Sequence, residues 1–279
     1  MTALLALSAA LTFGASDFAG GLAARRAPAL TVSWFAQAAG LLVLAPALLL
    51  LPGVLSSSAL AAGAVGGVAG ACGLVLYLRG LAIGPMGLAS PLAGVAGAVL
   101  PVAIGFGTGE RPTTLATVGI ALGLAAVVLV GGRDLAAGAR RGASSRSPLL
   151  ALLGGVGFGV FFVALDASPA DSGLWSLVGA RAASLVLLGA ALAVRRVGVP
   201  RDGRFLALAL ATGTLDMVAN VLFLGAARAG MLSLAALITS LYPVVVAGLA
   251  HSLLRERLDR VQWGAVVACL GAVGLIALS

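Results

Sequence analysis

Asp17, Arg181 and Asp216 fall inside long apolar runs, and His251 stands near the end of another. An ionisable side chain at the centre of a membrane costs roughly 2.5 to 3.5 kcal/mol on insertion scales, so each of these groups must work or be paired. Asp216 lies midway along its run, and Thr212, Asp216 and Asn220 recur at i, i+4 and i+8, which keeps them near one helix face. Asp216 and Asn220 would line a central cavity, with Asp216 holding a cationic group or taking up a coupling proton. The alternative is a structural aspartate, hydrogen-bonded to a neighbouring helix or paired with Arg181. Asp17, beside Ser16 and followed by Gly20-Gly21, would either line the cavity mouth or cap and pair near the interface. Arg181-Ala182-Ala183 stands where Gln37-Ala38-Ala39 stands 144 residues earlier, so Arg181 and Gln37 read as matched polar positions facing inward. The guanidinium could bind a carboxylate or phosphate in bidentate fashion, or neutralise Asp216 or Asp17. Tyr77, its counterpart Phe223, and Tyr242 could wall a solute site or sit at the membrane interface, where aromatic residues are common. His251 reads as an interfacial side chain.

Several chemistries are excluded or disfavoured. One histidine and two isolated cysteines, Cys72 and Cys269, offer no metal-type spacing, and the cysteines read as small core residues. No nucleophile stands with a base, and no carboxylates are paired, so an intramembrane hydrolase or transferase is disfavoured without being excluded. The glycines of 154–159 lie within a helical run, and the chain has no lysine, which rules out a phosphate-binding loop of the Walker type. No cofactor and no metal are implied. The net charge of +8 comes entirely from arginine. Those arginines sit between apolar runs, where they meet headgroups, so a nucleic-acid partner is not indicated.

The elements that must position these residues are spanning helices. Apolar residues make up 61% of the chain, charged residues 9%, and the mean hydropathy is +1.15, far from a soluble domain. Uncharged runs recur at lengths near the roughly 20 residues that cross a bilayer as a helix. The expected helices are 3–22, 29–51, 57–82, 86–107 and 112–130, then 149–165, 174–194, 205–226, 231–254 and 261–278. Pro28, Pro52-Gly53, Gly84-Pro85, Pro112, Pro148 and 200–203 mark the joints. Pro91, Pro101 and Pro243 could bend helices four and nine. The pairs Gly63/Gly67, Gly66/Gly70, Gly119/Gly123 and Gly155/Gly159 have the small-xxx-small spacing of close helix contacts.

The chain also repeats itself. Gly84 and Glu110 stand 146 residues before Gly230 and Glu256. Leu4-Leu5-Ala6-Leu7 and Phe13-Gly14 recur 145 residues on, as Leu149-Leu150-Ala151-Leu152 and Phe158-Gly159. A repeated first run is no cleaved leader, and half-length self-similarity reads as duplication. Glu110 and Glu256 fit structural capping and local pairing beside Arg111 and Arg257. The expected fold is an all-α integral membrane protein of ten transmembrane helices in two inverted five-helix repeats, 1–132 and 149–279, joined by a polar, Arg-rich linker, 133–148. An odd number of spans per unit inverts the second copy, placing a solute site near the midplane between repeats. Arginines crowd the odd-numbered connections, which predicts that these are cytoplasmic and that both termini are outside.

The segment SLYPVVVAGL…LLRERLDRVQWGAVVACLGAVGL, 240–275, carries a Pro in the ninth helix, a Glu-Arg-Leu hairpin and a Gln-Trp-Gly opening of the tenth. In these features it resembles the last two helices of EamA-type transporters of the drug/metabolite transporter superfamily. FGASDFAGGLAARR, 13–26, is similar to the end of that family's first helix, with Phe13 where a Trp is common. The resemblance implies a transporter and favours export. Acidic and basic interior residues together would suit an amino acid or related compound, moved by alternating access, with a proton as possible coupling ion. The candidate binding set is Asp17, Gln37, Tyr77, Arg181, Asp216, Asn220 and Tyr242. A non-transporting scaffold or sensor is the alternative, and a lipid-modifying enzyme a more remote one. The Arg-for-Lys usage and Ala/Gly-rich composition point to a bacterial plasma membrane.

Overall fold

In a computed structural model of the chain, the described residues are 1–50, 53–84, 86–109, 146–198, 200, 202–239 and 241–254, with isolated positions within 113–125 and 260–275. The described residues are helical, joined by short turns. The helices are α1 (Thr2–Ala24), α2 (Ala29–Leu50), α3 (Ser57–Ile83), α4 (Met86–Gly107), α5 (Arg146–Asp166), α6 (Trp175–Arg195), α7 (Gly203–Ala229), α8 (Leu232–Thr239) and α9 (Tyr242–Leu254). A single 3-10 turn, Ala170–Ser172, precedes α6. Among the described residues, six helices are long and apolar enough to cross a membrane: α1, α2, α3, α5, α6 and α7. The expected helices 112–130 and 261–278, the linker, and Glu110, Glu256 and Cys269 lie largely or wholly outside the described residues.

Local chemistry sets the helix ends. The Ser56 hydroxyl accepts from the Ala59 amide at 3.2 Å to cap α3, and the Asp202 carboxylate accepts from the Arg204 amide at 3.0 Å to cap α7. Pro148 does not separate elements as expected. It sits in the first turn of α5, where its missing N–H leaves no helix bond unmade. The expected single helix 231–254 is instead two, α8 and α9, interrupted between Thr239 and Tyr242, with Pro243 in the first turn of the second piece. Pro243 has no N–H to donate to the Thr239 carbonyl four residues back, and its ring crowds that carbonyl, which helps set the break.

The helices are apolar on every side, as membrane segments are. Large side chains such as Leu42, Leu49, Val186 and Val194 point outward, while alanines such as Ala6, Ala9, Ala59 and Ala71 are buried. Lipid is as apolar as leucine, so it favours this arrangement of small residues within and branched ones without. Cys72 also faces outward, correcting its reading as a core residue. Its helix turns Ala71 and Gly73 to the protein instead.

The strongest packing runs between the two halves of the chain. α3 lies against α5 and α6, α7 lies against α1 and α2, and α4 lies against α5, α8 and α9. Gly63 and Gly67 of α3 meet α6, while Gly66 and Gly70 meet Phe161 of α5; Gly155 meets Ala93 and Ala96 of α4, and Gly159 meets Gly97. Gly119/Gly123 is only partly described.

Contacts at the two ends of the bundle fix helix directions. At one end Thr2 touches Gly230, the Val54 amide donates to the Asp171 carbonyl at 2.8 Å, and Arg228 donates to the Gly173 carbonyl at 2.7 Å. At the other, Arg26 reaches Asp202 at 3.5 Å and the Ser147 hydroxyl donates to the Gly80 carbonyl at 2.9 Å. α1 therefore runs from the first end to the second, and α5 runs back. Among the described residues, Arg25, Arg26, Arg79, Arg146, Arg195, Arg196 and Arg204 cluster at the second end, with Arg228 at the first. By the positive-inside tendency, the second end is the one expected to be cytoplasmic. A reporter active only in the cytoplasm should therefore give a strong signal when inserted in the 196–202 loop and none when fused at the N-terminus. The reverse pattern would overturn this orientation.

Candidate functional site

A cavity with about 730 Å³ of atom-free space, counted out to its mouth, lies where the two halves meet. Each half supplies part of its wall: α1 to α4 from the first, α5 to α9 from the second.

The polar part of the wall includes a network on three helices. Two turns into α6, the Arg181 guanidinium donates from Nη1 to the Gln37 side-chain carbonyl on α2 and from Nη2 to the Asp216 carboxylate on α7. Asn220, one turn further along α7, donates through Nδ2 to the same carboxylate oxygen at 3.1 Å and to the Asp216 carbonyl at 2.8 Å. Arg181 is almost fully buried and Asp216 partly so, with side chains 6% and 22% exposed. Pairing offsets the desolvation that either charge would suffer alone. The remaining guanidinium nitrogen, Nε, is packed against Gly40, where an added Cβ would lie 3.2 Å away.

Asp17 is held differently. Ser90, Tyr77 and Asp17 form a chain of oxygens on α4, α3 and α1. The Tyr77 hydroxyl lies 3.0 Å from both neighbours, so it donates to the Asp17 carboxylate and accepts from Ser90. The residue before Asp17 also ties α1 to α7, with the Ser16 hydroxyl donating to the Thr212 carbonyl at 2.8 Å.

Aromatic rings from Phe13, Phe158, Phe161, Phe162 and Tyr242 make the rest of the wall. They pack edge-on or tilted, with Phe13 and Phe162 at 6.1 Å between centroids and Phe162 tilted against Phe223 at 4.3 Å.

The cavity brings together Asp17, Gln37, Arg181, Asp216, Asn220 and Tyr242 of the candidate set. Tyr77 and Phe223 are fully buried and stand one layer behind, so neither forms a wall as expected. Tyr77 instead supports Asp17 and meets Phe158 and Tyr242 edge-on, at 5.5 and 6.4 Å. Arg181 is committed to Asp216, the second of its alternatives. Asp17 lies 8% exposed, deeper than a cap at the interface would be. His251 is exposed near the end of α9, its ring 6.3 Å from that of Trp263. Sequence reasoning missed Phe158, Phe161 and Phe162. Their i, i+3, i+4 spacing places them on one helix face, but an apolar run hides such a stripe. It also missed Ser90, Ser184 and Thr239, small hydroxyls that look like ordinary membrane-helix residues.

No curated protein matches the sequence. A solved structure described as the crystal structure of a protein is similar in fold, with a TM-score of 0.73 and 19% identity, covering 99% of this chain and 98% of its own. The model of the EamA-like transporter family matches residues 145–278. With its apolar spanning helices, the chain is thus a multi-pass membrane protein that carries, over residues 145–278, a domain of the EamA-like transporter family.

Proposed function

We propose that the chain is a secondary transporter that moves a small organic metabolite, an amino acid or related compound, by alternating access, with export favoured. The observation that carries this reading is the central cavity, walled by both halves of the chain and lined at mid-helix by Asp216 and Asn220. The opposite directions of α1 and α5 support inverted units 1–132 and 149–279, joined by the linker 133–148. Inverted units supply two nearly equivalent states, one open to each side. The break between α8 and α9 puts Thr239 and Tyr242 on the cavity wall, as discontinuous helices do in many transporters. The setting proposed is a bacterial plasma membrane with the arginine-rich end in the cytoplasm, and a proton as the coupling ion.

The test uses Thr239→Cys in a chain whose Cys72 and Cys269 are replaced by serine, reconstituted in sealed vesicles. An impermeant maleimide should label position 239 from both sides, with the two rates shifting in opposite directions when a transported solute is added. Labelling from one side only, under every condition, would exclude alternating access. Asp216→Asn should also uncouple solute movement from an imposed pH gradient, and unchanged coupling would remove Asp216 from that role.

A further inference from the structure

We propose that the cavity selects a nitrogen cation bearing N–H groups, a primary amine or guanidinium, on a compact aromatic or apolar body. The physiological meaning rests on the transporter reading and narrows its solute class from amino acids to related amines without a carboxylate, but binding itself can be tested apart from it.

Charge comes first. Among the described residues, the charged side chains lining the cavity are Asp17, Arg181 and Asp216. Arg181 spends both terminal nitrogens on Asp216 and Gln37, and its Nε faces Gly40 of α2. Its charge is answered by Asp216, so a solute carboxylate or phosphate would have to compete with that side chain for the guanidinium, whose buried Nε lacks a partner. Asp17 is partnered by a neutral hydroxyl, that of Tyr77, and with both acids ionised the lining carries one excess negative charge. A cation on the solute cancels it.

Hydrogen bonding narrows the cation. Asn220 Oδ1, Thr239 Oγ1 and the Tyr242 hydroxyl lack partners, and their residues line the cavity at 2%, 1% and 8% exposure. All three oxygens can accept, and buried polar atoms ordinarily find a partner. An ammonium or guanidinium offers donors alone, whereas a quaternary ammonium offers none. The five rings around the space then suit both parts of the solute, since aromatic faces attract cations and shelter an apolar body.

The test measures binding to the purified full chain by calorimetry with four probes on one skeleton: 2-phenylethylamine, its N,N,N-trimethyl analogue, phenylalanine and 3-phenylpropionate. The amine should bind at least ten-fold more tightly than each of the other three. Asp17→Asn should weaken the amine at least ten-fold. Tyr242→Phe removes only an unpartnered hydroxyl, so it should leave folding intact while weakening the amine several-fold and not the trimethyl analogue. Equal or tighter binding of a carboxylate-bearing probe, an amine affinity untouched by Tyr242→Phe, or no binding of the amine would each overturn the proposal. Uptake of labelled solute into sealed vesicles under an imposed pH gradient separates the two readings. Uptake of a zwitterionic or anionic solute, without amine binding, sinks this inference and leaves transport standing. Amine binding with no uptake of any of the four probes keeps the site and sinks transport.

Discussion

Leucine at position 216 is expected to destabilise the folded protein by about 3 kcal/mol, the low end of what breaking a buried ion pair costs. The size follows from what would be left behind. Arg181, 6% exposed, would keep Gln37 but lose its counter-charge, and Asn220 would lose the carboxylate oxygen it meets at 3.1 Å. The partial exposure of Asp216 argues for the lower figure. Replacing the partner as well, in an Arg181→Met, Asp216→Leu double variant, removes the stranded charge and should recover most of the loss, because an apolar pair of similar volume asks for no solvation. Reversible unfolding in lipid bicelles measures both. If the double variant is no more stable than the single, the charge pair does not hold these helices together and the loss belongs to packing. Both variants should lose solute binding, since either change rebuilds the cavity wall.

The second large effect is steric. A Cβ added to Gly67 would stand 2.2 Å from the Ala180 carbonyl oxygen, and one added to Gly63 would stand 1.9 Å from that of Ser176. Those atoms are backbone and cannot turn aside, so α3 and α6 must separate. Overpacking of this kind costs roughly 1 to 3 kcal/mol per site. The double Gly63→Ala, Gly67→Ala variant should therefore unfold far more easily than the parent. It should also disturb binding, because Ala180 immediately precedes Arg181 and carries it away from Gln37 and Asp216. The bond from the Ser184 hydroxyl to the Gly67 carbonyl, 2.9 Å, would lengthen with it. Gly248 of α9 is the control. Nothing lies within 4 Å of a Cβ there, and alanine favours helix over glycine by up to about 1 kcal/mol. If Gly67→Ala unfolds no more readily than Gly248→Ala, the close approach of α3 and α6 is wrong.

The spanning helices were legible because hydrocarbon imposes a length and forbids unpaired backbone, and few sequences satisfy both by accident. Asp17, Arg181 and Asp216 were legible for the same reason: a charge in an apolar run is conspicuous. Their partners were less so. Arg181 could have answered Asp17 or Asp216, and helix rotation about the α6 axis, which sequence does not report, decides for Asp216. Tyr77 was read as a wall because it is aromatic and inward. Its hydroxyl instead makes it the support of Asp17, which only the meeting of α1, α3 and α4 reveals. The break between α8 and α9 escaped because Ser240 and Leu241 continue the apolar run, and one proline in such a run signals a bend as readily as an interruption. Cys72 was assigned to the core by its type, yet on a helix apolar all round, type does not choose the face.

The interlocking of the two halves also bears on how the protein is made. The principal neighbours of α3 are α5 and α6, and those of α1 and α2 include α7, so the first four helices emerge from the ribosome before most of their packing partners exist. Until α6 and α7 are synthesised, Gln37 waits for the guanidinium that will bond it, while Asp17 can already meet Tyr77 once α3 has entered. The glycine faces of α3 meanwhile stand open to lipid or to whatever attends the nascent chain. Among the described residues, the early helices therefore complete their packing only after the second half has entered the membrane.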